Sequence, residues 1–145
     1  MANEQELRKI AVDTIDASKD ELLALSHDIF QYAELAFEEV RSSKRLRDFL
    51  EKYGFEIKEI EEMPTAFVAE IGRGSPVIAF MAEYDALPEM GHACGHNIIA
   101  AAAAGAGLGV SSVIDKCKGT IRVVGCPAEE GGGGKVIMVN KGVFD

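Results

Sequence analysis

Two short apolar runs, Val77–Ala82 and Thr120–Cys126, bracket an Ala/Gly-rich stretch from Ile98 to Val110. That order narrows the possible folds more than any other feature of the chain. The first run, Val-Ile-Ala-Phe-Met-Ala, has no polar interruption and reads as a strand buried on both faces. Ile98–Val110 is too short to span a bilayer, which takes about 20 residues. Its small side chains suit a helix lying close against a sheet, with Asn97 expected as its cap and an end near Asp115. Gly105 and Gly109 stand four apart, and tight packing is the expected reason rather than a dimer motif. Pro127 ends the second run. A last helix is expected over Lys135–Lys141, stopped at Gly142. Strand, helix, strand, helix in succession is the pattern of an α/β sheet with helices on its faces.

The preceding half is helical first. Ser18-Lys-Asp-Glu21 reads as a capping box. Leu22, Leu25, Ile29, Tyr32 and Ala33 follow it at helical spacing. A helix before it spans about Gln5 to Ser18, and a third runs from about Glu39 to Tyr53, with Gly54 as its stop. The period then changes. Phe55–Ile60 alternates, Ala66–Ile71 reads as a second strand, and Gly72-Arg-Gly-Ser-Pro76 is a turn cluster.

Charge is uneven. Residues 1–62 carry 16 acids against 9 bases, and residues 63–145 carry 8 against 6. The first part therefore reads as solvated helical surface and the second as interior. A net charge of −9 with no basic cluster argues against nucleic acid and against anionic membranes. The polar N-terminus has no apolar signal core. Three cysteines, Cys94, Cys117 and Cys126, are an odd number with no CxxC pair. A reduced, cytoplasmic protein is expected, without a disulfide framework or redox motif.

The chemistry gathers at the ends of the two apolar runs. Asp85 follows the first, and Glu129-Glu130 follows the second just before four consecutive glycines. Both positions lie beyond the carboxyl ends of strands, where open α/β sheets bind ligands. Cys94 and His96, two apart in extended backbone, would point to one side and face one ion. Near a helix N-terminus the dipole lowers a thiol's pKa. Adjacent carboxylates cannot both be buried in a core. One can hold a metal while the other works on water, so Glu130 is the expected ligand and Glu129 the expected base. The glycines permit close backbone approach, or form a flexible turn. They lack the spacing of a phosphate-binding P-loop. Asp85, with Glu83 and Pro88 nearby, could orient a ligand imidazole. His92 fits either a supporting or a ligating role, and His27 a surface one. A thiolate in the donor set favours Zn, Co or Ni over Mg or Ca.

Three stretches carry a family resemblance: Ala82-Glu-Tyr-Asp85-Ala-Leu-Pro88, Gly91-His-Ala-Cys94-Gly-His96-Asn97 and Cys126-Pro-Ala-Glu129-Glu130-Gly-Gly-Gly-Gly-Lys135. With His27 through Glu39, the chain resembles the M20 metallopeptidase/amidohydrolase family over nearly its whole length, in its aminoacylase-like branch. Tyr84 and Asn97, where that branch often has Met and Asp, point toward the subgroup resembling aminobenzoyl-glutamate hydrolase and eukaryotic dipeptidases.

The resemblance implies an αβα sandwich of the zinc-exopeptidase type. It implies two divalent metals in the full-length family, Zn foremost with Mn, Co or Ni as alternatives. Cys94, His96 and Glu130 would be among the ligands, Glu129 the water-activating base, with Asp85 assisting. The substrate would be a small-molecule amide: an N-acyl amino acid, an aminobenzoyl-glutamate or an unusual dipeptide. Family members are longer, form homo-oligomers, carry an inserted dimerisation and lid domain, and supply further metal-binding histidines. Residues 1–145 are therefore expected to be the N-terminal portion of the catalytic domain, incomplete, with little activity alone and an exposed sheet edge. The competing expectation is a metal-binding or assembly module without catalysis.

Overall fold

The computed structural model describes residues 3–145. Three helices come first: α1 (Glu4–Ala17), α2 (Lys19–Tyr32) and α3 (Val40–Lys52). The strands are β1 (Glu56–Ile60), β2 (Met63–Arg73), β3 (Val77–Glu83) and β4 (Gly119–Cys126). Helix α4 (His96–Ser111) and a single 3-10 turn (Ile114–Lys116) connect β3 to β4, and α5 (Gly134–Asn140) follows β4.

The four strands form one sheet in the order β1-β2-β4-β3. β2 pairs antiparallel with β1 and with β4, and β3 lies parallel to β4, with Glu83 opposite Cys126. Strand side chains alternate in direction, and the sheet uses both faces. Phe67, Ala69, Ile121, Val123, Phe80 and Ala82 pack with Leu25, Ile29, Leu46, Phe49 and Leu50 of α2 and α3 and with the alanines of α4. The residues between them, Ala66, Val68, Val124, Cys126 and Met81, pack with Ile137 and Met138 of α5. Helices thus cover both sides of the sheet, giving the expected αβα layers.

Glycine sets the closeness of α4. A Cβ on Gly107 would lie 2.4 Å from Val123 Cγ2, and one on Gly109 would lie 2.7 Å from Ile15 Cδ1 of α1. Gly105 meets Leu22 of α2. The small-residue spacing therefore serves packing within the chain. Among the described residues, no helix is long and apolar enough to cross a membrane.

Three local expectations need correction. Ser18 makes no side-chain cap, because Glu21 turns to Lys52 and Tyr53 of α3 instead of back to its own helix. Asn97 is not the cap of α4. Gly95, at φ +78°, precedes the helix, and the Asn97 amide donates to Ser26 of α2. β3 is not buried on both faces. It is an edge strand, with Val77 50% and Ile78 49% exposed.

Candidate metal centre

Because β3 and β4 run side by side in the same direction, the loops leaving their carboxyl ends emerge together. β3 delivers Glu83 and Asp85, β4 delivers Glu129 and Glu130, and the first turn of α4 delivers His96 between them. His96 is 3% exposed. Its Nε2 lies 3.6 Å from Glu130 Oε1, 3.7 Å from Glu129 Oε2 and 3.7 Å from Glu83 Oε2. On the other side of the ring, Nδ1 is 2.9 Å from the Asp85 carbonyl and 3.0 Å from Asp85 Oδ1. These partners assign a proton to Nδ1, and Nε2 faces the three acids. Asp85, 1% exposed, also accepts from the Glu130 amide through Oδ2 at 3.0 Å. Asp85 thus ties the β3 loop to the histidine through its carbonyl and to the glutamate loop through its carboxylate.

Cys94 lies beside Glu130 but outside the group formed by His96, Glu129 and Glu130. Its backbone is not extended: residues 93 and 94 form a turn, and Gly95 reverses the chain into α4. The thiol is exposed and lies against the Glu130 carboxylate, whose hydrogen bond and charge raise its pKa. The acids outweigh the helix dipole, contrary to the expected lowering.

The four glycines divide by role. Gly132 and Gly134 require close approach: a Cβ would fall 2.3 Å from the Phe37 ring and 1.9 Å from the Pro127 carbonyl. Gly131 meets nothing. Lys135, at the start of α5, bonds Glu83 and stands 3.8 Å from Glu129 Oε1. Burial works against its charge, but Glu83 and its acidic neighbours prevail and raise its pKa.

The donor set fits a divalent cation. Separations of 3.6–3.7 Å about Nε2 are too long for hydrogen bonds. They are close to the edge of a tetrahedron with bonds of about 2.1 Å, which is about 3.4 Å. Carboxylates converging this closely repel one another unless a cation stands among them, and Lys135 pairs with Glu83 and Glu129 but not with Glu130. His96, Glu129 and Glu130 each offer an atom within 4.8 Å of the others.

Of the remaining candidates, His92 donates to the Ile29 carbonyl through Nε2 at 3.0 Å, and its Nδ1 has no partner. Burial lowers its pKa. It packs the α2 side of the loop rather than joining the donors. His27 is exposed on α2. Sequence reasoning gave no role to Glu83 or Lys135. The available signal was that Glu83 sits two residues before Asp85 at a strand end and so can project toward the same site.

No family model matches the chain. It is 37% identical to one of the subunits of the p-aminobenzoyl-glutamate hydrolase of Escherichia coli, over 97% of this chain and 34% of the relative. It is 37% identical to the Xaa-Arg dipeptidase of Mus musculus, over 96% of this chain and 36% of that protein. A solved dinuclear metal-binding peptidase of the M20 family from Bacillus subtilis superposes with a TM-score of 0.81 at 33% identity, over 90% of this chain and 41% of the other. The chain thus spans about a third of the length of the curated relatives it matches.

Proposed function

We infer, for a chain that belongs to the M20 family, that the acids around His96 are a metal-dependent amide-hydrolysing site. One observation carries the reading: the Nε2 atom of a buried imidazole faces three carboxylates, each within 3.7 Å, at the carboxyl ends of two parallel strands.

His96, Glu130 and Cys94 are the proposed protein ligands and Glu129 the base. The contact of the Cys94 thiol with Glu130 supports pairing those two on one ion. Glu129 is 35% exposed, and only its Oε1 pairs with Lys135, at 3.8 Å, so its carboxylate can reach water. When bound, a divalent cation supplies Lewis acidity, polarising the scissile carbonyl and lowering the pKa of water. Glu129 removes the proton from the attacking water and returns it to the leaving amine. Asp85 fixes the tautomer and direction of His96. Zinc suits a set containing a thiolate, with Co, Ni and Mn as further candidates. A second ion, as in the dinuclear relative, would need ligands in addition to these.

The proposed substrates are N-acyl amino acids, aminobenzoyl-glutamate and dipeptides, in line with the relatives' names. A cavity of about 350 Å³ beside Glu130 and Asp85, walled by Leu35, Ala36, Leu87 and Pro88, supports an apolar group next to the scissile bond. We read residues 1–145 as the N-terminal portion of a longer catalytic domain that forms a homo-oligomer. Three free thiols support a reducing, cytoplasmic setting. The exposed edge of β3 is the one feature favouring a metal-binding assembly module.

The test is metal binding and turnover by the 145-residue chain with Zn or Mn, against aminobenzoyl-glutamate and an N-acyl amino acid. Retained metal with weak turnover that disappears in Glu129→Gln supports the hydrolase. Tight metal with no turnover by the wild type favours the module. No metal bound, or turnover unchanged in Glu129→Gln, contradicts the site.

A further inference from the structure

Glu39 is the least expected residue in the core. It directly precedes α3 and is 0% exposed, and a carboxyl group is expensive to bury. Its Oε1 accepts the amide of Ala128 at 2.8 Å, across 89 residues of sequence, and its Oε2 has no hydrogen-bond partner. Burial raises its pKa.

Ala128 immediately precedes Glu129 and has φ +54°, a left-handed conformation that alanine adopts reluctantly. Its carbonyl accepts from Gly132 at 3.4 Å and Gly134 at 3.1 Å, closing the glycine turn. On the amide side, Glu39 is the partner. Without that bond the amide would be buried and unpaired, and Ala128 would gain from returning to negative φ. That rotation would swing both following carboxylates.

The segment ahead of Glu39 braces the same region. Phe37, also left-handed at φ +63°, lays its ring against Gly132, and the Glu34 carbonyl accepts the Ala86 amide at 2.8 Å, next to Asp85. The α2–α3 loop therefore touches both loops of the site while contributing no ligand.

We propose that Glu39 is a positioning residue: by accepting the Ala128 amide it holds the turn in the left-handed form that aims Glu129 and Glu130 at His96. This rests on the metal-site reading above. A carboxylate serving only to fill space would be replaced without loss by an apolar side chain of similar size. One serving this bond would be replaced only by a side chain that reaches the amide with an oxygen.

The experiment measures Zn affinity by chelator competition, the Co(II) absorption spectrum and thermal unfolding, on the 145-residue chain and three variants. Glu39→Gln keeps the acceptor and is expected to bind Zn within about twofold of wild type. Glu39→Leu removes the acceptor, and Glu39→Asp keeps the charge but falls short of the amide. Both are expected to lose at least tenfold in Zn affinity and to change the Co(II) spectrum while still unfolding cooperatively. Ala128→Gly, which adopts positive φ freely, is expected to restore part of the loss when added to Glu39→Leu. Wild-type affinity in a folded Glu39→Leu or Glu39→Asp overturns the proposal and leaves the metal site standing. Failure of both to fold assigns Glu39 to the core and overturns it too. Absence of Zn binding by the wild type overturns both readings together.

Discussion

At the scale of single residues, the site works by dividing labour between groups that touch the proposed ion and groups that aim them. Asp85 is the clearest aiming group, since its carbonyl and Oδ1 flank His96 Nδ1 while Oδ2 holds the Glu130 amide. Replacing it with Asn sets an amide donor against one of these two donors. Asp85→Asn is therefore predicted to weaken Zn binding by about 10–100-fold, as supporting residues of metal ligands commonly do, with the fold intact by circular dichroism. Lys135 acts differently, because it bonds Glu83 and pairs with Glu129 at 3.8 Å without reaching Glu130. Much of this was legible in the sequence. Asp85, His96, Glu129 and Glu130 follow from strand ends, a helix start and the chemistry of their side chains and lie together, while Cys94 lies beside Glu130 but outside the His96, Glu129 and Glu130 group. Glu39 and Glu83 were not assigned a role. The contact of Glu39 is with a backbone amide 89 residues away, and a bond to main chain leaves no trace in the partner's side chain.

Among the elements, burial follows the hydrophobic period, and the departures come from neighbours the period cannot see. The helices and strands lie close to the stretches their spacing predicts, because each buries one apolar stripe or alternates across the sheet. The capping box fails since Glu21 finds stronger partners on α3 than in its own helix. β3 has the composition of an interior strand yet lies at an edge, and composition records what a strand can tolerate rather than its place in the order. The contact of α4 with β4 gives a direct test. A methyl group on Gly107 would meet Val123 at 2.4 Å, so Gly107→Ala is predicted to destabilise the fold by about 1–3 kcal/mol in urea unfolding. Gly131→Ala, with open space around it, should stay within about 0.5 kcal/mol. The β2–β4 pair carries a pH signal. The Arg122 hydrogen bond holds the Glu70 carboxyl below its ordinary 4.5. A carboxyl lowered in the folded state stabilises above the unfolded value, and that contribution is lost as pH falls through the folded one. The stability gap between wild type and Glu70→Gln should be at most about 1 kcal/mol at pH 7 for so exposed a pair, and should close as the solution is acidified below 4.5.

The molecule as a whole is a layered sheet with its chemistry at one end and an unprotected edge along one side. Among the described residues β3 has a single strand partner, and no charged residue interrupts Val77–Ala82. Such an edge recruits further strands. Sedimentation of the 145-residue chain is predicted to show association that grows with concentration, and Ile78→Lys should shift it toward monomer. The edge and the site are separable, so the same substitution should leave Zn affinity unchanged. The proposed functional unit is the meeting of an imidazole and paired carboxylates where β3, β4 and α4 converge, with the exposed Cys94 thiol beside Glu130. X-ray absorption at the Zn edge of the loaded chain tests that meeting most directly. The account predicts one sulfur at about 2.3 Å with nitrogen and oxygen neighbours at about 2.0–2.2 Å, the sulfur vanishing in Cys94→Ala and the bound zinc lost in His96→Ala. A shell of water oxygens alone, or a spectrum indifferent to both substitutions, would contradict it.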